Sequence, residues 1–211
     1  MKDKINIMRH FLKIYLLCAG LLLSACSEQN AASFKALSPN ATILAFGDSL
    51  TAGKGSHSSQ SYPAVLQKLT QTRVINAGIS GEISANGLKR LPHLLKQHQP
   101  ELVIICHGGN DILRRYNLQK TKKNIIEMIN LAQAANSQVL LLATPKPTLL
   151  VPPAKIYFDI AETTGVALDA STLSTTLKSN KLKSDTYHPN ASGYQYIAEQ
   201  IHSQLKNLGA I

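Results

Sequence analysis

Three runs of apolar residues, Ile43 to Phe46, Leu102 to Cys106 and Val139 to Ala143, are continuous where most of the chain alternates or mixes. Runs of that length fit strands buried on both faces, as in a parallel sheet. Weaker runs at Val74-Ile75 and Val166 to Leu168 bring the count to about five strands. Between them the period changes. Ile125, Met128, Ile129, Ala132 and Ala135 share one helical face, as do Tyr194, Ile197, Ala198, Ile201 and Leu205. Residues 62 to 70 and 86 to 97 are further helix candidates, the second interrupted by Pro92. Strands alternating with helices predict an α/β protein, a three-layer α/β/α sandwich on a mostly parallel sheet of about five strands with right-handed crossovers. Ligands of such sheets sit beyond the carboxyl ends of the strands, so chemistry is expected there.

The start of the chain follows another pattern. Lys2, Lys4, Arg9 and Lys13 give a basic beginning and Ile14 to Leu23 an apolar run, after which small residues precede Cys26, the layout of a secretory signal. The apolar run is too short to span a bilayer. Leu23-Ser24-Ala25-Cys26 looks like a bacterial lipobox, whose cysteine becomes the lipidated N-terminus after residues 1 to 25 are removed. The competing reading is an ordinary cleaved signal with an incidental cysteine. Ser27 after the cysteine implies sorting to the outer membrane, anchored by lipid and facing the periplasm. Residues 26 to 41, small and polar, read as the lipidated Cys and a flexible tether, and residues 42 to 211 as one domain.

At 211 residues, with 44% hydrophobic and 16% charged residues, the chain has a globular balance with room for one core. Without the leader, 18 basic face 11 acidic side chains, a net charge of +7 that suits anionic lipid or polysaccharide surfaces. The basic residues are scattered with no recognition motif, so nucleic acid is not an expected partner. Only Cys106 remains in the mature part besides Cys26, so no disulfide framework is expected. His57, His93, His98, His107 and His202 lack metal-ligand spacing, and neither metal nor cofactor is implied. His107 is close enough in sequence to the Asn110 block to line a site there.

Four short blocks carry candidate chemistry. Gly47-Asp48-Ser49-Leu50 follows the first strand, where a serine can offer both its hydroxyl and its own N–H to a crevice, although a helix-capping serine would look the same. Asn76-Ala77-Gly78-Ile79-Ser80-Gly81-Glu82 follows the second, with glycines that let backbone amides approach a ligand. Gly108-Gly109-Asn110-Asp111 follows the third. Asp185-Thr186-Tyr187-His188 precedes the last helix, and its carboxylate can fix the tautomer of its imidazole. Each block alone is weak; their order, three behind strands and one before the last helix, is hard to obtain by accident. No Gly-x-Ser-x-Gly elbow and no phosphate loop is present.

With these blocks the chain resembles the SGNH, or GDSL, hydrolase family over residues 42 to 207, and within it the bacterial thioesterase/lysophospholipase/arylesterase branch. The resemblance implies a flavodoxin-like sheet and a serine esterase. It also implies Ser49 as nucleophile, His188 as general base and acid, Asp185 as its orienting partner, and an oxyanion hole from the N–H groups of Ser49 and Gly81 and the side-chain amide of Asn110. Gly78 competes with Gly81 for the second block's role. Ile112, Leu113, Leu149 and Leu150 lie near the expected catalytic edge and could wall an acyl groove, or simply pack their loops. The expected substrates are small acyl esters, lysophospholipids or acyl thioesters, acted on by a monomer. The rivals are a carbohydrate or peptidoglycan O-acetylesterase and a non-catalytic envelope-binding lipoprotein.

Overall fold

Thr42–Gly47 forms strand β1, buried at all six positions. It is paired in parallel on both sides, with Phe46 opposite Ala77 of β2 (Arg73–Gly78) and opposite Ile105 of β3 (Leu102–Cys106). β4 (Gln138–Leu142) and β5 (Ala167–Asp169) continue in the same direction, so the sheet is wholly parallel in the order β2-β1-β3-β4-β5. This is the flavodoxin-like order, with its topological switch between β1 and β3. The computed structural model describes residues 33 to 211, so the leader and Cys26 lie outside the described residues. Helices α1 (Ser49–Ala52), α2 (Tyr62–Thr70), α3 (Ser84–His98), α4 (Gly109–Leu113), α5 (Leu118–Ala134), α6 (Lys155–Thr164), α7 (Thr172–Lys178) and α8 (Ala191–Asn207) occupy the connections.

Strand parity decides which layer each side chain feeds. Ile43, Ala45, Leu102, Ile104, Leu140 and Leu142 meet Leu66 of α2 and Tyr194, Ile197, Ile201 and Leu205 of α8 in one core. Leu44, Phe46, Val103, Ile105, Val139 and Leu141 meet Leu91 of α3, Ile125, Met128 and Ile129 of α5 and Ile160 of α6 in the other. Both faces of β1, β3 and β4 are therefore covered, which explains why these strands are continuous apolar runs. Cys106 is free and buried, and burial pushes its thiol well above the usual value, so it acts as a small core hydrophobe.

The structure departs from the sequence expectations in three places. The segment expected to be a tether as far as residue 41 is docked from Phe34 onward: Phe34 N–H donates to the Leu208 carbonyl at 2.7 Å, Leu37 N–H to Ala210 at 2.8 Å, and Ser38 N–H to the Glu101 carboxylate at 2.9 Å. Phe34 and Leu37 also pack on the α8 core, an apolar contact that the polar composition around them hides. Ala135 falls just past the end of α5 and is exposed. The helix expected over residues 86 to 97 does form, as α3, with Pro92 inside it at an exposed position. Helices α6 and α7 arise in a stretch for which no helix is expected.

Candidate active site

The β1 strand ends at a tight turn that carries Ser49. Asp48 caps α1, accepting from Leu50 N–H at 3.1 Å, and Ser49 is the first residue of that turn. As a first-turn N–H without an intrahelical acceptor, the Ser49 amide is free to meet a ligand. The turn is held close to the sheet by Gly78: a Cβ there would lie 2.1 Å from Ala52 N and 2.6 Å from the Thr51 carbonyl carbon. Gly78 is thus a packing glycine of β2 beneath the turn. Gly81, at φ +78°, borders the cleft instead.

The loop before α8 brings the fourth block across. Asp185 accepts the N–H groups of Tyr187 at 2.7 Å and His188 at 2.9 Å, a tight turn that folds the imidazole back onto its own carboxylate. His188 Nδ1 lies 2.8 Å from Asp185 Oδ2, and Nε2 lies 3.1 Å from Ser49 Oγ. Partial burial works to raise the Asp185 carboxyl, but the Tyr187 N–H and the His188 ring outweigh it and hold it below its ordinary value. Asn190 keeps the loop in place, its amide donating to the Lys181 carbonyl at 2.9 Å while its oxygen caps α8 through Gly193 N–H at 3.0 Å.

Two buried carboxylates fix the remaining blocks. Asp111 accepts Ser84 N–H at 2.8 Å and Ser84 Oγ at 2.7 Å, so it caps α3, which has no side-chain cap of its own, and ties the third block to the second. Glu82 is held by Arg90, whose Nη2 lies at 2.6 Å and also donates to the Ala77 carbonyl at 2.8 Å, with the guanidinium 4.4 Å from the Phe46 ring centroid. Burial acts to raise the Glu82 carboxyl, but contacts from His107 and Arg90 prevail and lower it. Asn110 Nδ2 lies 3.1 Å from the Glu82 carbonyl and 3.2 Å from Asp48 Oδ2. Burial pushes the Asp48 carboxyl above its usual value, and His107, Leu50 N–H and Asn110 offset only part of that.

Ser49, Gly81, Asn110 and His188 line one cleft of about 560 Å³, with Asp185 behind the imidazole. Of the four residues expected to wall it, Leu113 and Leu149 do. Ile112 does not, because it packs into the core shared by α5 and α6; Leu150 is turned away from the cleft that its neighbour Leu149 lines. Thr148 and Val151, which flank that leucine pair, line the cleft too, and Leu177 and Tyr187 line it without having been expected. His107 is a further correction: it is fully buried beside Phe46, its Nε2 3.3 Å from Glu82, and belongs to the support of the second block. Asp111, Arg90 and Ser84 act through contacts between distant segments, for which the sequence carries no local signal.

A serine hydroxyl, an imidazole backed by a carboxylate, and free or oriented N–H donors around one cleft can run acyl transfer. Comparison with known proteins agrees. Residues 45–196 match the GDSL-like Lipase/Acylhydrolase family. The chain is 36% identical to thioesterase 1/protease 1/lysophospholipase L1 of Escherichia coli strain K12, covering 79% of this chain and 84% of that protein. It is 33% identical to an arylesterase of Vibrio mimicus, over 77% and 87%. The crystal structure of the psychrotrophic esterase EstA from Pseudoalteromonas sp. superposes with a TM-score of 0.73 at 29% identity, covering 80% of this chain and 98% of EstA. The chain belongs to the GDSL-like lipase/acylhydrolase family and is a carboxylic ester hydrolase of the serine-hydrolase type.

Proposed function

We propose that the protein hydrolyses acyl esters through an acyl-enzyme on Ser49. One observation carries this reading: the line from Asp185 through His188 to Ser49, at 2.8 and 3.1 Å, ends in the cleft. Nε2 of His188 takes the hydroxyl proton as Oγ attacks the carbonyl carbon, an activation worth about 10² to 10⁴ in rate. The developing oxyanion is met by the N–H groups of Ser49 and Gly81 and by Asn110 Nδ2. The imidazolium returns the proton to the leaving alcohol or thiol, and water repeats the sequence to release the acid. Asp185 holds the imidazole in the tautomer this needs.

Short to medium acyl esters, lysophospholipids and acyl thioesters suit this site, and the apolar side chains of Leu113, Leu149, Val151 and Leu177 along the cleft favour an acyl chain over a glycan acetyl group. A non-catalytic binding role leaves the aligned hydroxyl and imidazole without a purpose. The protein acts in the bacterial envelope, lipidated on Cys26 after removal of residues 1 to 25, at the outer membrane facing the periplasm; the small residues before Cys26 and Ser27 after it support this.

Ser49→Ala and wild type, assayed on p-nitrophenyl esters from acetate to palmitate and on an acetylated glycan, test the reading. Wild type is expected to react with a fluorophosphonate probe and to turn over esters, and Ser49→Ala to do neither. Hydrolysis that survives in Ser49→Ala overturns the mechanism.

A further inference from the structure

We infer that Lys54, Lys146 and Lys183 make the cleft selective for acyl esters whose leaving group carries phosphate and a net negative charge. The inference deepens the Ser49 reading and rests on it. The three lysines come from separate loops, after α1, after β4 and before α8, and all line the cleft that holds Ser49. Among the described residues none of them takes part in a salt bridge. The carboxylates nearby are engaged: Asp48 on the Leu50 N–H and Asn110, Asp185 on His188. The cleft therefore sets three ammonium groups against the Asp48 and Asp185 carboxylates, an excess of positive charge around a neutral nucleophile.

The backbone under each lysine is braced. The Lys54 carbonyl accepts from Tyr194 Oη at 2.7 Å. Lys146 N–H donates to the Pro152 carbonyl at 2.8 Å inside a loop closed by the Pro145–Pro153 bridge. Lys183 bridges to Pro189, next to His188 in the chain. Three ammonium groups thus hang from fixed points on the same opening, where their flexible four-carbon stems can gather on an anion without the backbone having to order first. Apolar Leu113, Leu149 and Leu177 share the cleft, so an acyl chain has a wall and a phosphate has a counter-charge in one site. Low-dielectric walls strengthen that attraction over its value in bulk water. A zwitterionic headgroup cancels it with its own cation, and a neutral alcohol does not use it.

A phosphate-bearing leaving group has two sources, a glycerophosphate headgroup or the coenzyme A of an acyl thioester. Matched pairs separate them: lysophosphatidylglycerol against lysophosphatidylcholine with the same acyl chain, below their micellar concentrations, and acyl-coenzyme A against the same acyl group on N-acetylcysteamine. In at least one pair the anionic member is expected to show a kcat/KM about tenfold higher at low ionic strength, the scale of three partly exposed ion pairs. The preference is expected to fade towards about 0.5 M salt. It should disappear in the triple variant Lys54→Ala, Lys146→Ala, Lys183→Ala and persist when all three are arginine. Equal efficiency within both pairs for wild type, or a preference that persists in the triple alanine variant, overturns the inference. Failure of wild type to hydrolyse p-nitrophenyl butyrate overturns the Ser49 reading itself, and the lysine selectivity with it.

Discussion

Asn110 offers its side-chain amide to two protein acceptors, the Glu82 carbonyl and the Asp48 carboxylate, before any substrate arrives. Both Nδ2 hydrogens are thus taken, so one must turn from the Asp48 carboxylate to the oxyanion as it forms. The same contacts give the residue a structural share. Asn110→Ala is expected to lower kcat by about 10² to 10³ with little change in KM. Stability should fall by about 1 kcal/mol, because the Glu82 carbonyl and Asp48 lose a donor. Steady-state kinetics and thermal unfolding of the variant separate the two effects. A kcat within a few-fold of wild type would remove Asn110 from the oxyanion hole and leave it as a brace between the second and third blocks.

At the scale of elements, the site depends on a few buried polar pairings that lock loops to one another. Glu82 joins the loop after β2 to Arg90 on α3, and its contacts with His107 and Arg90 hold its carboxyl below the ordinary value near 4.5 against the opposing effect of burial. A carboxylate whose value is lowered in the folded state adds stability above the unfolded-state value, and that contribution is lost as the pH falls through the folded-state value. Glu82→Gln should therefore cost about 2 kcal/mol, by a margin that stays constant from neutral pH down to weakly acidic pH and narrows once the pH passes below the ordinary carboxyl range. Denaturant unfolding across that range measures the margin, and a gap that widens on acidification contradicts the pairing. The sequence makes some of this visible. β1, β3 and β4 are legible because both of their faces are buried, and α8 because its five core positions keep one phase. The four blocks are legible as well, since each follows a strand or precedes a helix at a fixed offset. Asp111 on Ser84, Arg90 on Glu82, and Phe34 on Leu208 are not, because each pairs residues many positions apart and leaves no period or spacing behind. Ile112 and Leu150 show the same limit: adjacency to the catalytic edge says nothing about which way a side chain turns.

Across the described domain, the cleft and the start of the described chain lie at opposite ends of the strands of one sheet. Ser49, Gly81 and Asn110 lie beyond the carboxyl ends of β1, β2 and β3. The described chain begins at the other end, where Ser38 meets Glu101 just before β3 and Lys35 meets Gln138 at the start of β4. Both cores lie between, and their packing is rigid enough that a change confined to the far end of the N-terminal segment has no short route to the catalytic loops. Lipidation at Cys26 and catalysis at Ser49 should therefore be separable. Cys26→Ala is expected to abolish palmitate labelling and move the protein from the membrane to the soluble fraction. Its kcat/KM on p-nitrophenyl butyrate should stay within about twofold of wild type, because the chain enters the domain at the strand ends opposite the cleft. Labelling that persists in Cys26→Ala would remove the anchor from this residue, and a large loss of activity in the soluble variant would mean that the N-terminal segment reaches the site by a route the sheet does not provide.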